Sequence, residues 1–160
     1  MEIIEYKNEY SESVKDLLVE LQEFIVRIDE EKLNIITPEY RENYFKEMIE
    51  RINNNEGKIF IAKENNKIIG FIAGIIVKYD ESDKYEYVIH RRGEVIELMV
   101  NESVQSKGIG TELLKTIEDY FKSIGCIYIQ IDVFGYNTKA IKFYKKHKYN
   151  SRLITMVKKI

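Results

Sequence analysis

Two glycines at the junction between an apolar run and a helix-like segment could bind an anion. Gly108 and Gly110 follow the run that ends at Val100, and apolar residues recur at helical spacing from Ile109 onward. Glycine lets the backbone approach a ligand closely. The first turn of a helix leaves amide N–H groups without partners, and the helix dipole adds about half a positive charge there. These features favour phosphate binding, although an ordinary strand-to-helix turn would use the same glycines.

Other phosphate-binding patterns do not fit this segment. The sequence contains no Gly-x-x-x-x-Gly-Lys-[Ser/Thr] loop, and no third glycine completes a dinucleotide-binding pattern after Gly110. Residues 97–111 are therefore predicted to form a strand, a tight turn and the start of a long helix.

The elements that must position this turn are marked by changes in hydrophobic period. A short strand at 3–6 precedes a helix from about Ser11, and a second helix is expected after Thr37, with Pro38 at its first position. Two β-rich runs, 58–63 and 67–78, are joined by a short asparagine-containing hairpin. The later predicted strands are 85–89, 94–100, 127–134 and 152–158, and the later helices are 108–124 and 138–146.

This order of elements predicts an α/β fold in one domain that spans residues 1–160. The expected sheet is mixed and mostly antiparallel, with helices on both faces and a C-terminal βαβαβ half. No repeat, linker or low-complexity segment interrupts the pattern.

The glycine segment resembles a signature of the GNAT superfamily of N-acetyltransferases. Gln105, Gly108 and Gly110 match its [Gln/Arg]-x-x-Gly-x-[Gly/Ala] pattern. Residues 137–144 resemble the Asn-x-x-Ala-x-x-Phe-Tyr helix of the same superfamily. Both motifs occur in order, separated by the expected helix and strand, which is more specific than either motif alone. The resemblance covers the chain well from Ile59 to the C-terminus, whereas the first two helices match only in type.

The resemblance implies that the C-terminal half binds acetyl-coenzyme A as a cosubstrate. Backbone amides of residues 105–111 would hold its pyrophosphate. Backbone groups of Met99 and Val100 would pair with the pantetheine arm, Asn137 would hydrogen-bond that arm, and Phe143 would pack near it. The cofactor-binding residues implied in this way are Met99, Val100, Gln105, Ser106, Lys107, Gly108, Ile109, Gly110, Thr111, Asn137 and Phe143.

The resemblance also implies transfer of an acetyl group to a primary amine by direct attack in a ternary complex. Tyr144 would act as the general acid that protonates the departing thiolate. Glu97 interrupts an apolar strand beside the expected thioester, and carboxylates seldom lie there unpaired. It is the predicted general base, because the amine must lose a proton before it attacks. The alternatives are that Glu97 faces outward on a half-exposed strand or pairs with an arginine such as Arg92. For the protein as a whole, the alternative is a non-catalytic acyl-CoA sensor or interaction module.

Two positions depart from the superfamily pattern. Asn101 and Glu102 follow the strand where many members have proline, and Lys148 precedes Tyr149 where many have glycine. Glycine favours the left-handed conformation at the end of a helix, so Lys148 is expected to be strained or the turn to be different.

Other reactive residue types have structural interpretations. Cys126 is the only cysteine, so no intramolecular disulfide can form, and a buried structural thiol is expected. His90 and His147 lack metal-ligand spacing, and no metal is implied. The lysines of residues 139–146 are expected to be a solvated helix face, although one could meet the adenosine 3′-phosphate.

Composition limits the classes of partner. With 25 basic and 27 acidic residues, the net charge of -2 makes nucleic acid a poor candidate. No run approaches the roughly 20 apolar residues that span a bilayer, and the first residues do not resemble a signal peptide. A cytoplasmic location without a membrane partner is expected, and a homodimer is left open.

The acceptor is expected to be a small-molecule amine or a protein amino group. Acidic residues near the first two helices and in the 78–93 connection would suit a cationic acceptor, or would simply form a solvated surface. They are Asp29, Glu30, Glu31, Asp80, Glu81 and Asp83. Polyamine, aminoglycoside, amino-acid and protein-lysine acceptors all stay open.

Overall fold

The computed structural model describes residues 1–105 and 107–160 and shows a mixed α/β fold. Its five-stranded sheet has the order β1-β2-β3-β4-β5, in which only β4 and β5 run parallel. The elements are β1 (Glu2–Glu5), α1 (Ser11–Ile28), α2 (Tyr40–Asn54), β2 (Lys58–Glu64), β3 (Lys67–Ile76), β4 (Arg92–Val100), α3 (Ile109–Ser123), β5 (Tyr128–Ile131) and α4 (Thr138–Lys146). The predicted mixed, mostly antiparallel sheet is therefore confirmed.

Helices cover both faces of this sheet, which explains why β3 is apolar almost throughout. Phe71 and Ala73 of β3 pack with buried residues of α1 and α2 on one face. Ile72 and Ile76 pack with buried residues of α3 on the other face. A strand that is buried on both sides reads as a continuous apolar run, as residues 68–76 do.

The β2–β3 hairpin turns through Asn65 and Asn66, both with positive φ (49° and 61°). Asparagine tolerates this conformation better than most residues, and two consecutive positive φ angles suit the right-handed twist of the flanking strands. The hairpin predicted from the sequence is confirmed.

Two predicted strands are wrong. Residues 85–89 do not extend, because Asp80 and Asp83 cap each other and wind Glu81–Tyr85 into a 3-10 helix. Residues 152–158 are exposed and form no strand, and the described sheet ends at β5.

Several predicted boundaries also differ from the structure, among them those of α2 and β5. Helix α2 begins at Tyr40, because the Tyr40 amide donates to the Thr37 carbonyl in a turn that contains Pro38. Strand β5 is confined to Tyr128–Ile131, because its pairing with β4 ends where Val95 meets Ile131.

The backbone strain expected at Lys148, just after α4, is confirmed. Lys148 has φ of 67°, in the left-handed region that glycine favours. Tyr149 is held on both sides of this strained residue, since its amide donates to the Tyr144 carbonyl and its hydroxyl donates to Glu118. These two bonds fix the chain where it leaves the domain.

Candidate active site

The candidate site lies where β4 and β5 separate. Residues 92–95 of β4 pair with residues 128–131 of β5, and β4 then continues alone on that side to Val100. A pocket with a volume of about 210 Å³ occupies the opening. It is lined by Leu21, Gln22, Ile25, Tyr40, Tyr44, Ile96, Glu97, Leu98, Ile131, Asp132, Val133, Phe134, Asn137, Ala140 and Tyr144.

A β-bulge in β4 accounts for the shape of this opening. Ala73 of β3 faces Glu97 and Gly74 faces Val95, so Ile96 is an extra residue without a partner opposite. A bulge bends its strand and re-aims the neighbouring side chains. Ile96 packs with the α1 and α2 cluster, whereas Val95 packs with the α3 cluster. The bulge thus interrupts the alternation of side chains between the two faces of the sheet just before Glu97.

Glu97 faces α2 rather than open solvent. The hydroxyl of Tyr44 on α2 donates a hydrogen bond to Glu97 Oε1. Glu97 is partly buried, and this desolvation raises its pKa to about 7, against the lowering effects of the Tyr44 hydrogen bond and of the Arg51 charge. The carboxylate still lines the pocket, so it is reachable by a ligand.

Neither structural alternative for Glu97 holds. A solvent-facing position is wrong because of the contact with Tyr44. An ion pair with Arg92 is also wrong, because the Arg92 guanidinium lies over the Tyr79 ring, 5.1 Å from its centroid.

Tyr144, on α4, also lines the pocket. Its side chain is only 8% exposed and packs in a T-shaped contact with Phe143, with 5.1 Å between ring centroids. Burial, with a smaller contribution from the Glu97 charge, raises the pKa of the Tyr144 hydroxyl above its usual range. The hydroxyl is therefore protonated at neutral pH. The structure brings both predicted catalytic residues to one pocket.

The glycine turn takes the expected conformation at the start of α3. Gly108 has φ of 83°, a left-handed conformation that strains any residue with a Cβ. Its carbonyl accepts from the Glu112 amide, so helical hydrogen bonding begins there. The amides of Ile109, Gly110 and Thr111 belong to the first turn, which cannot satisfy them within the helix. Phosphate oxygens are suitable partners for such amides.

The Gln105 side chain links the glycine turn to β4 and to α4 by hydrogen bonds. Its side-chain amide donates to the Val100 carbonyl at 2.9 Å, and its side-chain oxygen accepts from Lys139 of α4. The Lys139 ammonium is thereby held beside the turn. Lys107 is exposed on the same turn. Ser106, which the resemblance also assigns to the cofactor, lies outside the described residues.

Two residues of the 137–144 motif contact the site: Asn137 lines the pocket and Phe143 packs against the glycine turn. Asn137 lines the pocket, and its Oδ1 caps α4 by accepting from the Ala140 amide at 3.0 Å. Its side-chain NH₂ remains as a donor. A Cβ added to Gly110 would lie 3.6 Å from the Phe143 ring, so Phe143 packs directly against the glycine turn.

Met99 and Val100 form the end of β4. They pair with Phe71 and Gly70 on the β3 side, while strand pairing with β5 has ended. Met99 contributes a buried side chain to the core, and the Val100 carbonyl accepts from Gln105. Their position beside the pocket is consistent with the predicted backbone role.

An aromatic pair on α2, which was not among the predicted site residues, also belongs to the pocket. Tyr40 and Tyr44 stack with 4.8 Å between ring centroids and line the pocket. The available signal was two tyrosines four residues apart, each with a polar tip that requires a partner when buried.

Most of the acidic residues proposed for the acceptor have other partners. Asp29 accepts from the amides of Leu33 and Asn34, both at 2.7 Å, and the Asn34 side chain lowers its pKa most. Glu31 accepts from the Tyr136 hydroxyl at 2.5 Å. None of the six acidic residues lines the pocket. The carboxylates that do are Glu97 and Asp132.

The remaining single residues are only partly as expected. Cys126 is partly rather than fully buried, which raises its thiol pKa. His147 contacts Thr111 of the glycine turn, with 3.2 Å between Nε2 and Oγ1.

Over residues 1–105 and 107–160, no cluster of three His, Cys, Asp or Glu side chains could hold a metal ion. No helix within the same residues is long and apolar enough to cross a membrane.

Comparison with known proteins identifies the family of this chain. The model of the Acetyltransferase (GNAT) family matches residues 22–149, so the chain belongs to that family. The chain is 32% identical over 94 residues to MJ1530, an uncharacterized N-acetyltransferase of Methanocaldococcus jannaschii, a match that covers 58% of this chain and 53% of that protein. The chain spans about half the length of the curated relatives it matches.

Solved structures share the fold over the whole chain. A mutant of the BH1408 protein from Bacillus halodurans superposes with a TM-score of 0.87 at 19% identity, covering 100% of this chain and 99% of that chain. The aminoglycoside N-acetyltransferase AAC(6′)-Iy in complex with CoA has a TM-score of 0.68 at 16% identity, covering 99% and 100%. At these identities the likeness shows the fold alone.

Proposed function

We propose that the protein transfers the acetyl group of acetyl-coenzyme A to a primary amine by direct attack in a ternary complex. The observation that carries this proposal is the meeting of Glu97 and Tyr144 on one pocket where β4 and β5 separate. The glycine turn at the start of α3 opens beside the end of the same strand. A carboxylate, a protonated phenol and an anion-binding turn are the groups that acetyl transfer from a thioester to an amine requires.

The unpaired edge of β4 and the glycine turn fit coenzyme A. From Ile96 to Val100 the backbone of β4 has no strand partner on the β5 side, so its polar groups, apart from the Val100 carbonyl that Gln105 occupies, suit the amides of the pantetheine arm. The first-turn amides of α3 and the nearby Lys139 suit the pyrophosphate. The cosubstrate supplies the activated acetyl thioester, and these residues bind and orient it.

Glu97 is the proposed general base. A lysine-like amine with a pKa of about 10.4 costs roughly 4.6 kcal/mol to deprotonate at pH 7, so a proton acceptor in the pocket matters. The Glu97 carboxyl, with its pKa near 7, accepts the proton as the amine nitrogen forms its bond to the acetyl carbon. General bases of this kind contribute roughly 10² to 10⁴ in rate.

Tyr44 positions that base. Its hydrogen bond to Oε1 fixes one carboxylate oxygen of Glu97 and leaves the other oxygen for the amine. The bond also stabilises the ionised carboxylate, because it is donated to the charged form.

Tyr144 is the proposed general acid. As the carbon–sulfur bond breaks, the hydroxyl donates its proton to the departing thiolate. Its raised pKa keeps the hydroxyl protonated, and among the described residues no hydrogen bond occupies it. The proton that Glu97 has taken and the proton that Tyr144 has given are then exchanged with solvent, which restores the site.

The pocket favours a positively charged amine of narrow cross-section. Its volume of about 210 Å³ holds an amino group and a few neighbouring carbons, so a larger acceptor must extend outside. The stacked rings of Tyr40 and Tyr44 and the Glu97 carboxylate provide cation–π and charge attraction for an ammonium. Leu21 and Ile25 offer an apolar wall for its methylene groups.

The test is incubation with acetyl-coenzyme A and a panel of amines. The panel should contain polyamines, aminoglycosides, amino acids and lysine peptides, with thiol release and product mass measured for each. We expect transfer to at least one cationic primary amine, and Tyr144→Phe should slow it. Tight coenzyme A binding without transfer to any amine class would contradict the proposal and favour an acyl-CoA sensor.

A further inference from the structure

The first turn of α3 carries a threonine that is held by another helix rather than by its own. Further along α3, the Thr116 hydroxyl donates to the Glu112 carbonyl at 2.8 Å, which is the usual bond of a threonine inside a helix. The half-buried Thr111 instead has the His147 ring as its side-chain partner among the described residues, with 3.2 Å between Oγ1 and Nε2. The two threonines of one helix are therefore used differently.

His147 is held firmly at the end of α4. Its amide donates to the Phe143 and Tyr144 carbonyls at 3.2 and 3.0 Å, and its ring lies against the Phe143 ring, with 4.7 Å between centroids. The Phe143 ring in turn packs against the glycine turn at Gly110. Because both its backbone and its ring are restrained, the imidazole loses little further side-chain entropy when it meets Thr111.

The Thr111 hydroxyl lies on the side of α3 that faces the glycine turn. Gly108 is the N-cap of α3, so Thr111 is the third residue of the helix. Side chains of a helix tilt toward its N-terminus, and a side chain at the third position can reach back to the capping residue. The hydroxyl is therefore close to the first-turn amides that are proposed to hold the pyrophosphate.

The direction of the hydrogen bond between His147 and Thr111 decides what this hydroxyl can offer to a ligand. A hydroxyl has one proton and two lone pairs, and a neutral imidazole has one N–H donor and one acceptor nitrogen. When Nε2 carries the proton, it donates to Oγ1 and the Thr111 proton is left for a ligand. When Nε2 is bare, Thr111 donates to the ring and offers only lone pairs. Because a phosphate oxygen accepts hydrogen bonds, a bound phosphate selects the first arrangement.

We propose that His147 is a positioning residue for coenzyme A, which donates from Nε2 to Thr111 Oγ1 and so directs the Thr111 proton at the pyrophosphate. This inference rests on the proposed binding of coenzyme A at the glycine turn. The donors form a chain from imidazole to hydroxyl to phosphate, in which each bond polarises the next. Lys139, held beside the turn by Gln105, contributes charge to the same site, whereas His147 contributes direction.

The first test measures the dissociation constants of coenzyme A, 3′-dephospho-coenzyme A and pantetheine. His147→Phe keeps an aromatic ring against Phe143 but removes the donor, so it should weaken both phosphorylated ligands about three- to tenfold, the range for one hydrogen bond. Pantetheine, which has no phosphate, should bind as it does to wild type. His147→Gln carries a side-chain N–H in place of Nε2 and should recover most of the affinity. His90→Phe is the matched control, since His90 packs against Tyr128 instead.

The three ligands separate the proposal from its alternatives. A loss for coenzyme A but not for its 3′-dephospho form would assign His147 to the 3′-phosphate, and an equal loss for pantetheine would show a general structural defect. Either result would overturn the proposal, as would unchanged affinities in His147→Phe. If Gly108→Val weakens coenzyme A binding and His147→Phe does not, this inference fails alone. If neither variant weakens it, the proposed coenzyme A site fails as well.

A double variant tests whether His147 acts through Thr111. Thr111→Val should weaken the phosphorylated ligands at least as much as His147→Phe, and adding His147→Phe to it should cause no further loss. Thr116→Val is the control, since its hydroxyl is bonded to its own helix. Losses that multiply in the double variant would show that His147 acts independently of Thr111, which contradicts the proposal.

Nuclear magnetic resonance of the ring nitrogens tests the direction of the bond. The chain has two histidines, so the His147 signals are those that disappear in His147→Gln. On addition of coenzyme A, the Nε2 signal of His147 should report a bound proton, while the His90 signals stay unchanged. An Nε2 without a proton in the complex would mean that Thr111 donates to the ring, and the proposal would be wrong.

Discussion

The two halves of the site are built in different ways. On the side proposed to bind coenzyme A, Gly108 and the first turn of α3 are adjacent in sequence and offer mainly backbone groups. On the side proposed for the acceptor, Tyr44 and Glu97 are 53 residues apart in sequence and meet through their side chains. A local sequence can specify the first kind of site, whereas the second requires that helices and strands already pack correctly.

This difference predicts that single substitutions on the two sides change different quantities. Changes on the coenzyme A side should alter cosubstrate affinity, whereas changes around Glu97 and Tyr144 should alter the chemical step and its pH dependence. The following experiments test that division, beginning with the largest expected effect.

Glu97→Gln should lower kcat/KM by roughly 10² to 10⁴ at neutral pH, because the glutamine cannot accept the amine proton. The defect should shrink as pH rises toward the pKa of the acceptor, where the free amine becomes abundant. Glu94→Gln, on the same strand but not on the pocket lining, is the control. Parallel pH–rate profiles for wild type and Glu97→Gln would remove Glu97 as the base.

Tyr144→Phe should lower kcat by about 10², the lower part of the range for a general acid, with little change in coenzyme A affinity. The ring and its contact with Phe143 are kept, so the loss reports the hydroxyl. Higher pH should not rescue this variant, in contrast to Glu97→Gln. Tyr149→Phe is the control, since it removes a neighbouring hydroxyl that is bonded to Glu118. A normal rate for Tyr144→Phe would exclude the phenol as the acid.

Gly108→Val should weaken coenzyme A binding about tenfold or more, as measured by calorimetry, because a β-branched residue resists φ of 83° and blocks close backbone approach. Gly125→Val is a matched control, since Gly125 has φ of 84° and also has open space around its Cβ position. Both variants should lose similar stability, but only Gly108→Val should lose affinity. Equal affinities would show that the glycine turn is not the binding loop.

Glu97 should also make the free energy of unfolding depend on pH. Its folded-state pKa of about 7 lies above the ordinary value of 4.5, so the folded protein binds more protons between these values. The wild-type free energy of unfolding should therefore fall, relative to Glu97→Gln, as pH rises from 4.5 to about 7 and stay level above that. Denaturant titrations at several pH values measure this difference. A difference that grows in the opposite direction would contradict the desolvated carboxylate.

Tyr44→Phe should give the smallest effect, a shift of the acidic limb of the pH–rate profile to higher pH with a few-fold loss of rate at neutral pH. The reason is that the Tyr44 hydrogen bond lowers the pKa of Glu97, so its removal raises that pKa. Tyr40→Phe keeps the stacked ring and should leave the limb in place, because Tyr44 is the residue bonded to Glu97. An acidic limb that does not move in Tyr44→Phe would limit Tyr44 to packing.

The sequence by itself determined the parts that depend on neighbouring residues. Helix α4 was predicted with its observed bounds, the Asn65–Asn66 turn was identified from residue type, and the strain at Lys148 followed from the missing glycine. Each of these is a local backbone preference, which a few consecutive residues are enough to specify. The glycine turn at Gly108 belongs to the same class.

Only the tertiary structure decided which side chains meet. The bulge at Ile96 depends on the register between two strands, and it aims Glu97 at a tyrosine of a helix far away in the chain. The 152–158 run has the composition of a strand but no neighbour to pair with among the described residues of its own chain. A strand requires a partner for its hydrogen bonds, and a buried carboxylate requires a donor, so neither outcome could be read from residues that are adjacent in sequence.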